Sequence, residues 1–334
     1  MIARFAVLAA AAGLAFPAAA DESAGSYRHF LTGNPADVSP ATSGLWVLQG
    51  GGDDVDQNYV RMGARGGGGD FVVLRASGKD EYNEYIYRLC GCDSVETIVF
   101  SDRSPASDPF VIETIRNAEA LFIAGGDQSD YVRYWKGTPV EDAINAVAAK
   151  PAPVGGTSAG MAILGEFVYA ALSPESLTSE VALANPFARD VTLERDFLSL
   201  PHLQGVLTDQ HLQERDRIGR TVTLLARLIQ DGWAANPRAI AADRETALHI
   251  DPVDGSAEVF ATADHPTPYV YFLRPTQAPE RCEPGQPLIL RDVEVYRIGP
   301  GGRFDLASWK GSRGLQYRLS AESGLLHSSR GAVY

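Results

Sequence analysis

The sequence predicts an α/β fold: a doubly wound, mostly parallel sheet flanked by helices, with additional antiparallel strands in the C-terminal third. Two patterns predict it. Short continuous apolar runs at 71–74, 96–100, 120–124 and 152–155 alternate with helical stretches at 80–89, 109–117, 129–136, 138–149 and from 159 onward. Strands that read as unbroken apolar runs between helices belong to a parallel sheet covered on both faces. Beyond residue 237 the character changes to short β-like runs, at 238–273 and 287–298, broken by Pro, Gly and Asp. These are expected as antiparallel strands closing a sheet edge. In a doubly wound sheet the functional groups gather at the C-terminal ends of the parallel strands.

Taken in order, residues 1–20 carry one cation, Arg4, then an apolar run over 5–16, then Ala18-Ala19-Ala20. A positive start, an apolar middle and an A-x-A-like end make a secretory signal peptide, with cleavage expected after Ala20. The run is too short to span a bilayer comfortably. A periplasmic or extracellular location follows, with no membrane attachment after cleavage. Residues 21–43 are polar, with scattered Gly, Pro and Ser, and are expected to be a flexible lead-in. The α/β domain is placed at 44–310, beginning with Gly44-Leu45-Trp46-Val47-Leu48-Gln49, and a polar tail at 311–334. Residues 211–231 are expected to form one long helix, with Leu212, Ile218, Val222, Leu225, Leu228 and Ile229 on an apolar stripe.

The chain has 29 basic and 42 acidic residues, a net charge of −13. Such a surface repels nucleic acid and anionic membranes, and neither is expected as a partner. Three cysteines, Cys90, Cys92 and Cys282, lack the histidine company of a zinc site, so no metal is expected. Cys90 and Cys92 stand too close in sequence to bridge easily, so one of them with Cys282 is the natural pair. Three unpaired thiols are the alternative.

Chemistry concentrates at three places. Gly155-Gly156-Thr157-Ser158-Ala159-Gly160-Met161 contains G-x-S-x-G between an expected strand and an expected helix. That context brings a serine into a sharp strand-to-helix turn, where only small neighbours avoid clashes and helix N–H groups face a developing oxyanion. Ser158 is the candidate nucleophile; the backbone N–H of Ala159, with that of Gly126 in Gly125-Gly126-Asp127-Gln128, is the candidate oxyanion hole. Gly125–Gln128 ends the preceding strand, and Asp127 is also placed to cap the helix that follows. A serine nucleophile needs a base. Of six histidines, His211 stands at a strand-to-helix junction in Thr208-Asp209-Gln210-His211-Leu212-Gln213-Glu214-Arg215-Asp216-Arg217-Ile218-Gly219-Arg220. Arg215, Arg217 and Arg220 cluster behind it, a trio suited to binding a carboxylate.

With these residues in place the chain resembles the cyanophycinase family of serine peptidases, whose fold is related to class I glutamine amidotransferases. The resemblance spans most of 44–310. It is carried by GGDQ at Gly125–Gln128, GGTSAGM at Gly155–Met161, DQHLQERDRIGR at Asp209–Arg220 and a late FDLASW at Phe304–Trp309. It implies Ser158 as nucleophile and His211 as base. It also implies a substrate pocket shaped by Gln128, Asp209, Gln210, Arg215, Arg217 and Arg220. The family cleaves cyanophycin, a polymer of aspartate with arginine on each side chain, into β-aspartyl-arginine; related members are aspartyl dipeptidases. No cofactor is implied, and relatives are often dimers. Met161 and Leu212 depart from the family's frequent alanine and aromatic.

A third catalytic acid is expected in a late strand with a D-E-x-T-A-like pattern. Here the stretch reads Ala242-Asp243-Arg244-Glu245-Thr246-Ala247, with Arg244 where the pattern has its glutamate. Asp243 and Glu245 share one strand face. Either is placed to orient His211, Glu245 slightly preferred. The expected function is an exported Ser-His-acid peptidase on aspartyl peptide bonds of the β-aspartyl-arginine type. The alternatives are an aspartyl dipeptidase on short peptides and an inactive binding protein that keeps the fold. An esterase is disfavoured by the arginine cluster, since a lipid pocket should be apolar.

Overall fold

In the computed structural model, residues 22–24 and 26–334 are described; the expected leader at 1–20 lies outside them. Five parallel strands form the centre of an 11-stranded sheet, in the order Ser94–Phe100, Asp70–Arg75, Ala120–Ile123, Val154–Thr157 and Trp46–Gln49. Their side chains are almost wholly buried, Leu48, Val73, Phe122 and Val154 among them, because helices cover both faces. Pro109–Asn117 is one of those helices; the Asp108 carboxylate caps it by accepting from the N–H groups of Phe110 and Val111. Antiparallel strands extend the sheet at both ends. Tyr27–Gly33 pairs with Ser94–Phe100, and Thr246–Ile250 pairs with Trp46–Gln49.

An 8-stranded sheet packs beside the first, and the sequence patterns did not distinguish the two. Val206–Asp209 lies parallel to both Arg238–Ala242 and Phe167–Tyr169. The strands Val270–Pro275, Leu290–Ile298, Leu315–Glu322 and Leu325–Ser328 continue it antiparallel. The expected late antiparallel strands are therefore present, shared between two sheets.

Four expectations are corrected. The lead-in is not wholly without structure, since Tyr27–Gly33 is a strand with Tyr27 buried. The tail after 310 is not polar throughout: Leu315–Glu322 carries Tyr317, Leu319 and Ala321 inward, the period-2 alternation of a half-buried strand. The long helix begins at Ile218 and ends at Gln230; residues 211–217 are an irregular turn. Leu212 stands six residues before Ile218, well off the stripe that Ile218, Val222, Leu225 and Ile229 share. Its N–H donates to the Ala242 carbonyl, and His211 has φ 50°, outside the α region. Finally, Cys90 bonds Cys92, while Cys282 is a buried free thiol. The left-handed Gly91 (φ 62°) ends the preceding helix and folds the chain back, bringing the two Cα atoms to 5.2 Å.

Candidate active site

The serine turn is assembled from backbone. Val154–Thr157 ends at Ser158, which holds φ 52°, an uncommon conformation for a residue with a side chain. The Ser158 N–H donates to the Gln49 carbonyl of the neighbouring strand at 3.0 Å, which helps hold that conformation. A single helical turn, Ala159–Ala162, follows. Gly160 is obligatory there, since a Cβ would stand 2.0 Å from the Ile123 carbonyl oxygen. The glycine turn after Ala120–Ile123 lies alongside as expected, a Cβ on Gly125 being 3.5 Å from that of Ser158. Asp127 caps the helix Gln128–Trp135 through the Ser129 N–H at 2.8 Å.

The histidine turn follows Val206–Asp209, also at a strand's C-terminal end. His211 is buried, and its N–H donates to the Gly50 carbonyl at 2.9 Å. Its Nε2 lies 3.0 Å from Ser158 Oγ, so two residues 53 apart in the chain share a hydrogen bond. Its Nδ1 lies 2.5 Å from Oε2 of Glu214. Gly51 packs against the ring: a Cβ there would be 2.1 Å from Nε2.

Burial lowers the His211 pKa from its ordinary value of 6.5; Glu214 pulls it back up, and Arg215 and Arg217 push it down again. Burial acts to raise the Glu214 carboxyl, but the His211 contact, with Arg215 and Arg244, outweighs it and holds the group below its ordinary value.

The two acids expected to orient His211 do not touch it. Glu245 is ion-paired with Arg244, and its N–H donates to the Gly51 carbonyl at 2.6 Å. One Asp243 oxygen accepts the Gln213 N–H at 2.9 Å, and the other has no partner among the described residues. Burial pushes the Asp243 carboxyl up to about 7, only partly offset by the hydrogen bond from the Gln213 N–H. The expected strand face is absent, because residues 243–245 form a turn between Arg238–Ala242 and Thr246–Ile250, with Glu245 at φ 55°. Sequence reasoning missed Glu214. The available signal was an acid three residues beyond the candidate base, passed over because the acid was sought in the late strand.

A pocket of about 250 Å³ opens beside Ser158. Of the residues expected to shape it, Gln128, Gln210, Arg215 and Arg217 line it, as does Gly126. Asp209 and Arg220 do not. They form a buried ion pair behind it, Nε to Oδ2 at 3.1 Å, with Thr221 Oγ1 donating to the same carboxylate at 2.7 Å. Burial acts to raise the Asp209 carboxyl, but Arg220, by charge and hydrogen bond, outweighs it and holds it low. Arg217 is pinned to the Gln210 carbonyl and side chain; burial first, then Arg220, pushes its pKa down to about 10. Arg215 is exposed and has no ion-pair partner among the described residues. Glu175 and Tyr169 also line the pocket.

The remaining motif, Phe304–Trp309, is structural. The Asp305 carboxylate accepts from the Ala307 N–H and the Ser308 hydroxyl, and Trp309 packs edge-on against Phe304. Among the other histidines, His249 is buried on Asn58 Oδ1 at 2.7 Å and His29 contacts Glu96.

Residues 76–186 match the model of peptidase family S51. That stretch holds Gly125–Gln128 and Ser158 and ends before His211. The cyanophycinase of Trichormus variabilis is 24% identical over 228 residues, covering 66% of this chain and 68% of the relative. That of Synechococcus elongatus is 27% identical over 144 residues, 42% of this chain and 41% of the relative. A peptidase structure from an acI-B1 Actinobacterium covers 80% of this chain and 98% of its own, at a TM-score of 0.51 and 15% identity, a likeness of fold.

Proposed function

We propose that this chain, a serine-type peptidase related to the cyanophycinases, is exported and hydrolyses aspartyl peptide bonds of the β-aspartyl-arginine type with Ser158 as nucleophile and His211 as base. The observation that carries the reading is the 3.0 Å contact between Ser158 Oγ and His211 Nε2, made by two turns at neighbouring strand ends. In this reaction Nε2 takes the serine proton as Oγ attacks the scissile carbonyl. The N–H groups of Ala159 and Gly126 face the oxyanion. Nε2 then returns the proton to the leaving amine, and water releases the acyl group. A histidine held below its ordinary pKa is neutral, and therefore a base, at pH 7.

The pocket chemistry supports the substrate class. Arg215 and Arg217 offer guanidinium groups to an aspartyl carboxylate. Glu175 and Asp127 on the same lining offer carboxylates to an arginyl guanidinium. A pocket of about 250 Å³ suits a residue pair rather than a long buried segment, which keeps aspartyl dipeptides beside the polymer as substrates.

The test is incubation of the purified protein with insoluble cyanophycin and with β-aspartyl-arginine peptides. Soluble dipeptide or free amino acids should appear, and Ser158→Ala should lower turnover by several orders of magnitude, on the order of 10⁴ or more. Hydrolysis undiminished in Ser158→Ala would end the nucleophile assignment. Failure on the polymer with activity on short peptides would select the dipeptidase reading. Amino-terminal sequencing of the protein recovered outside the cytoplasm checks cleavage before Asp21.

A further inference from the structure

We infer that Glu214, three residues beyond His211 on the same turn, is the positioning acid of this site, in place of the late-strand acids. The inference rests on Ser158 and His211 acting as nucleophile and base. Four observations carry it. Glu214 Oε2 lies 2.5 Å from Nδ1, the ring nitrogen that does not face Ser158. The turn is built to return the side chain to the ring: His211 is left-handed, the Arg215 N–H donates to the His211 carbonyl at 3.1 Å, and the Arg217 N–H donates to that of Leu212 at 2.8 Å. Both late acids are engaged elsewhere, Glu245 by Arg244 and Asp243 by the Gln213 N–H. Gly51, Ser158 and Glu214 together leave the ring one orientation.

The chemistry follows from the two nitrogens. A carboxylate at Nδ1 accepts that N–H, so the neutral ring keeps its proton on Nδ1 and presents the Nε2 lone pair to the serine hydroxyl. When Nε2 takes the serine proton, the imidazolium gains a charge partner at once. The charged groups around the ring are Glu214, Arg215 and Arg217 on its own turn. From the late turn Arg244 acts on Glu214 and is itself paired with Glu245, which keeps Glu214 ionised without removing it from the ring. Asp243 accepts the Gln213 N–H rather than that of the ring, and burial pushes its carboxyl up to about 7, so it is a weaker charge partner near neutral pH than Glu214, which is held below its ordinary value.

A fluorophosphonate probe reads the serine without a known substrate. The Ser158 Oγ–P bond forms, the P–F bond breaks with fluoride leaving, and the serine proton passes to Nε2. The second-order labelling rate is measured from pH 4 to pH 9 for the wild type, Ser158→Ala, Glu214→Ala, Glu214→Asp, Glu245→Gln and Asp243→Asn, with circular dichroism as the folding check. Glu214 is about one-third exposed, so its removal leaves no buried hole. Glu214→Ala should lower the plateau rate on the order of 10²- to 10⁴-fold, as loss of an orienting acid does. It should also move the acid limb to lower pH, because the carboxylate raises the His211 pKa. Glu214→Asp should recover part of the rate and return the limb toward the wild-type pH. Glu245→Gln and Asp243→Asn should stay within about threefold of wild type, the scale of a change that leaves the base oriented.

A Glu214→Ala limb that does not move, or a plateau within threefold of wild type, overturns the inference and leaves Ser158 and His211 standing. So does a collapse in Glu245→Gln or Asp243→Asn with Glu214→Ala unaffected. A wild type that labels no faster than Ser158→Ala overturns the nucleophile assignment and the inference together.

Discussion

The two turns that meet at this site are made in different ways. The serine turn is held by backbone. Ser158 hangs from the Gln49 carbonyl, and Gly160 lets the short helix touch the Ile123 carbonyl. The histidine turn has backbone ties as well, from the His211 N–H to the Gly50 carbonyl and from the Leu212 N–H to that of Ala242, but its ring is set by side chains and charge. His211 is set between Gly51 and Glu214, and the buried Asp209–Arg220 pair sits behind it. A backbone-made turn restricts which residues fit and so leaves a local signature. A charge-made turn depends on partners that only the fold brings together. The serine turn should therefore respond to steric substitution through stability, and the histidine turn through chemistry.

Paired glycine substitutions test that contrast most strongly. In Gly51→Ala the new Cβ falls 2.1 Å from Nε2, so the ring must swing away from Ser158. Loss of a positioned base costs on the order of 10²- to 10⁴-fold in rate, read as fluorophosphonate labelling. The fold should tolerate it better, because what it meets is a side chain that can move, although φ +92° adds some strain. In Gly160→Ala the obstacle at 2.0 Å is the Ile123 carbonyl, which cannot move without its strand. Overpacking of that kind costs about 1–3 kcal/mol of stability, seen as a lower denaturation midpoint. A Gly160→Ala protein with full stability and a Gly51→Ala protein with full labelling would dissolve the distinction.

The same difference explains what was legible in the sequence. Ser158, Gly125–Gln128 and the central parallel strands were readable, because apolar runs and glycine spacing are local properties. Ser158 and His211 also fell together as expected. The helix Asp56–Arg65 passed unnoticed because its sequence is largely polar; its inward residues Asn58, Tyr59, Met62 and Gly63 form a narrow stripe. The turn at 211–217 read as helix because Leu212 was joined to a stripe that begins at Ile218, although a six-residue step is out of helical phase, and a positive φ at His211 and Asp216 leaves no mark in the apolar pattern. Asp209 read as a pocket residue through the family resemblance, and Arg220 through that and the clustering of three arginines, whereas here the two neutralise each other in the interior. Glu214 was passed over for another reason: the acid was sought in the late strand, although residues three apart on a turn are neighbours.

Asp209 and Arg220 supply the next test. Arg220→Ala leaves a buried carboxylate with Thr221 and the Gln210 N–H as its hydrogen-bond donors. Breaking one side of a buried pair destabilises by about 3–5 kcal/mol. Arg215→Ala, at an exposed cation without an ion-pair partner among the described residues, should cost almost nothing in stability and act on substrate affinity. Urea denaturation of the two variants compares them directly. Equal midpoints would place both arginines on the same footing and remove the case for an interior role of Arg220.

The smallest expected effect concerns Tyr334, whose phenol joins the histidine turn to the C-terminal segment. Its hydroxyl donates to Asp216 Oδ1 at 2.7 Å and accepts the Ile218 N–H at 3.3 Å, with the Leu212 carbonyl also 3.3 Å away. Burial keeps that phenol neutral across the working pH range. Neighbours hold the segment in turn: Tyr317 donates to the Val333 carbonyl at 2.7 Å, and the Tyr271 ring meets Tyr334 edge-on. Tyr334→Phe keeps the ring and removes the three contacts, so packing is spared while the turn loses its tie. The expected cost is about 0.5–1.5 kcal/mol, the net worth of a hydrogen bond. It should appear locally, as faster amide exchange at Ile218 and a fluorophosphonate rate lowered only a few-fold. Unchanged exchange at Ile218 would mean that Glu214 and Gly51 hold the ring without help from the C-terminal segment, and that the histidine turn is as self-contained as the serine turn.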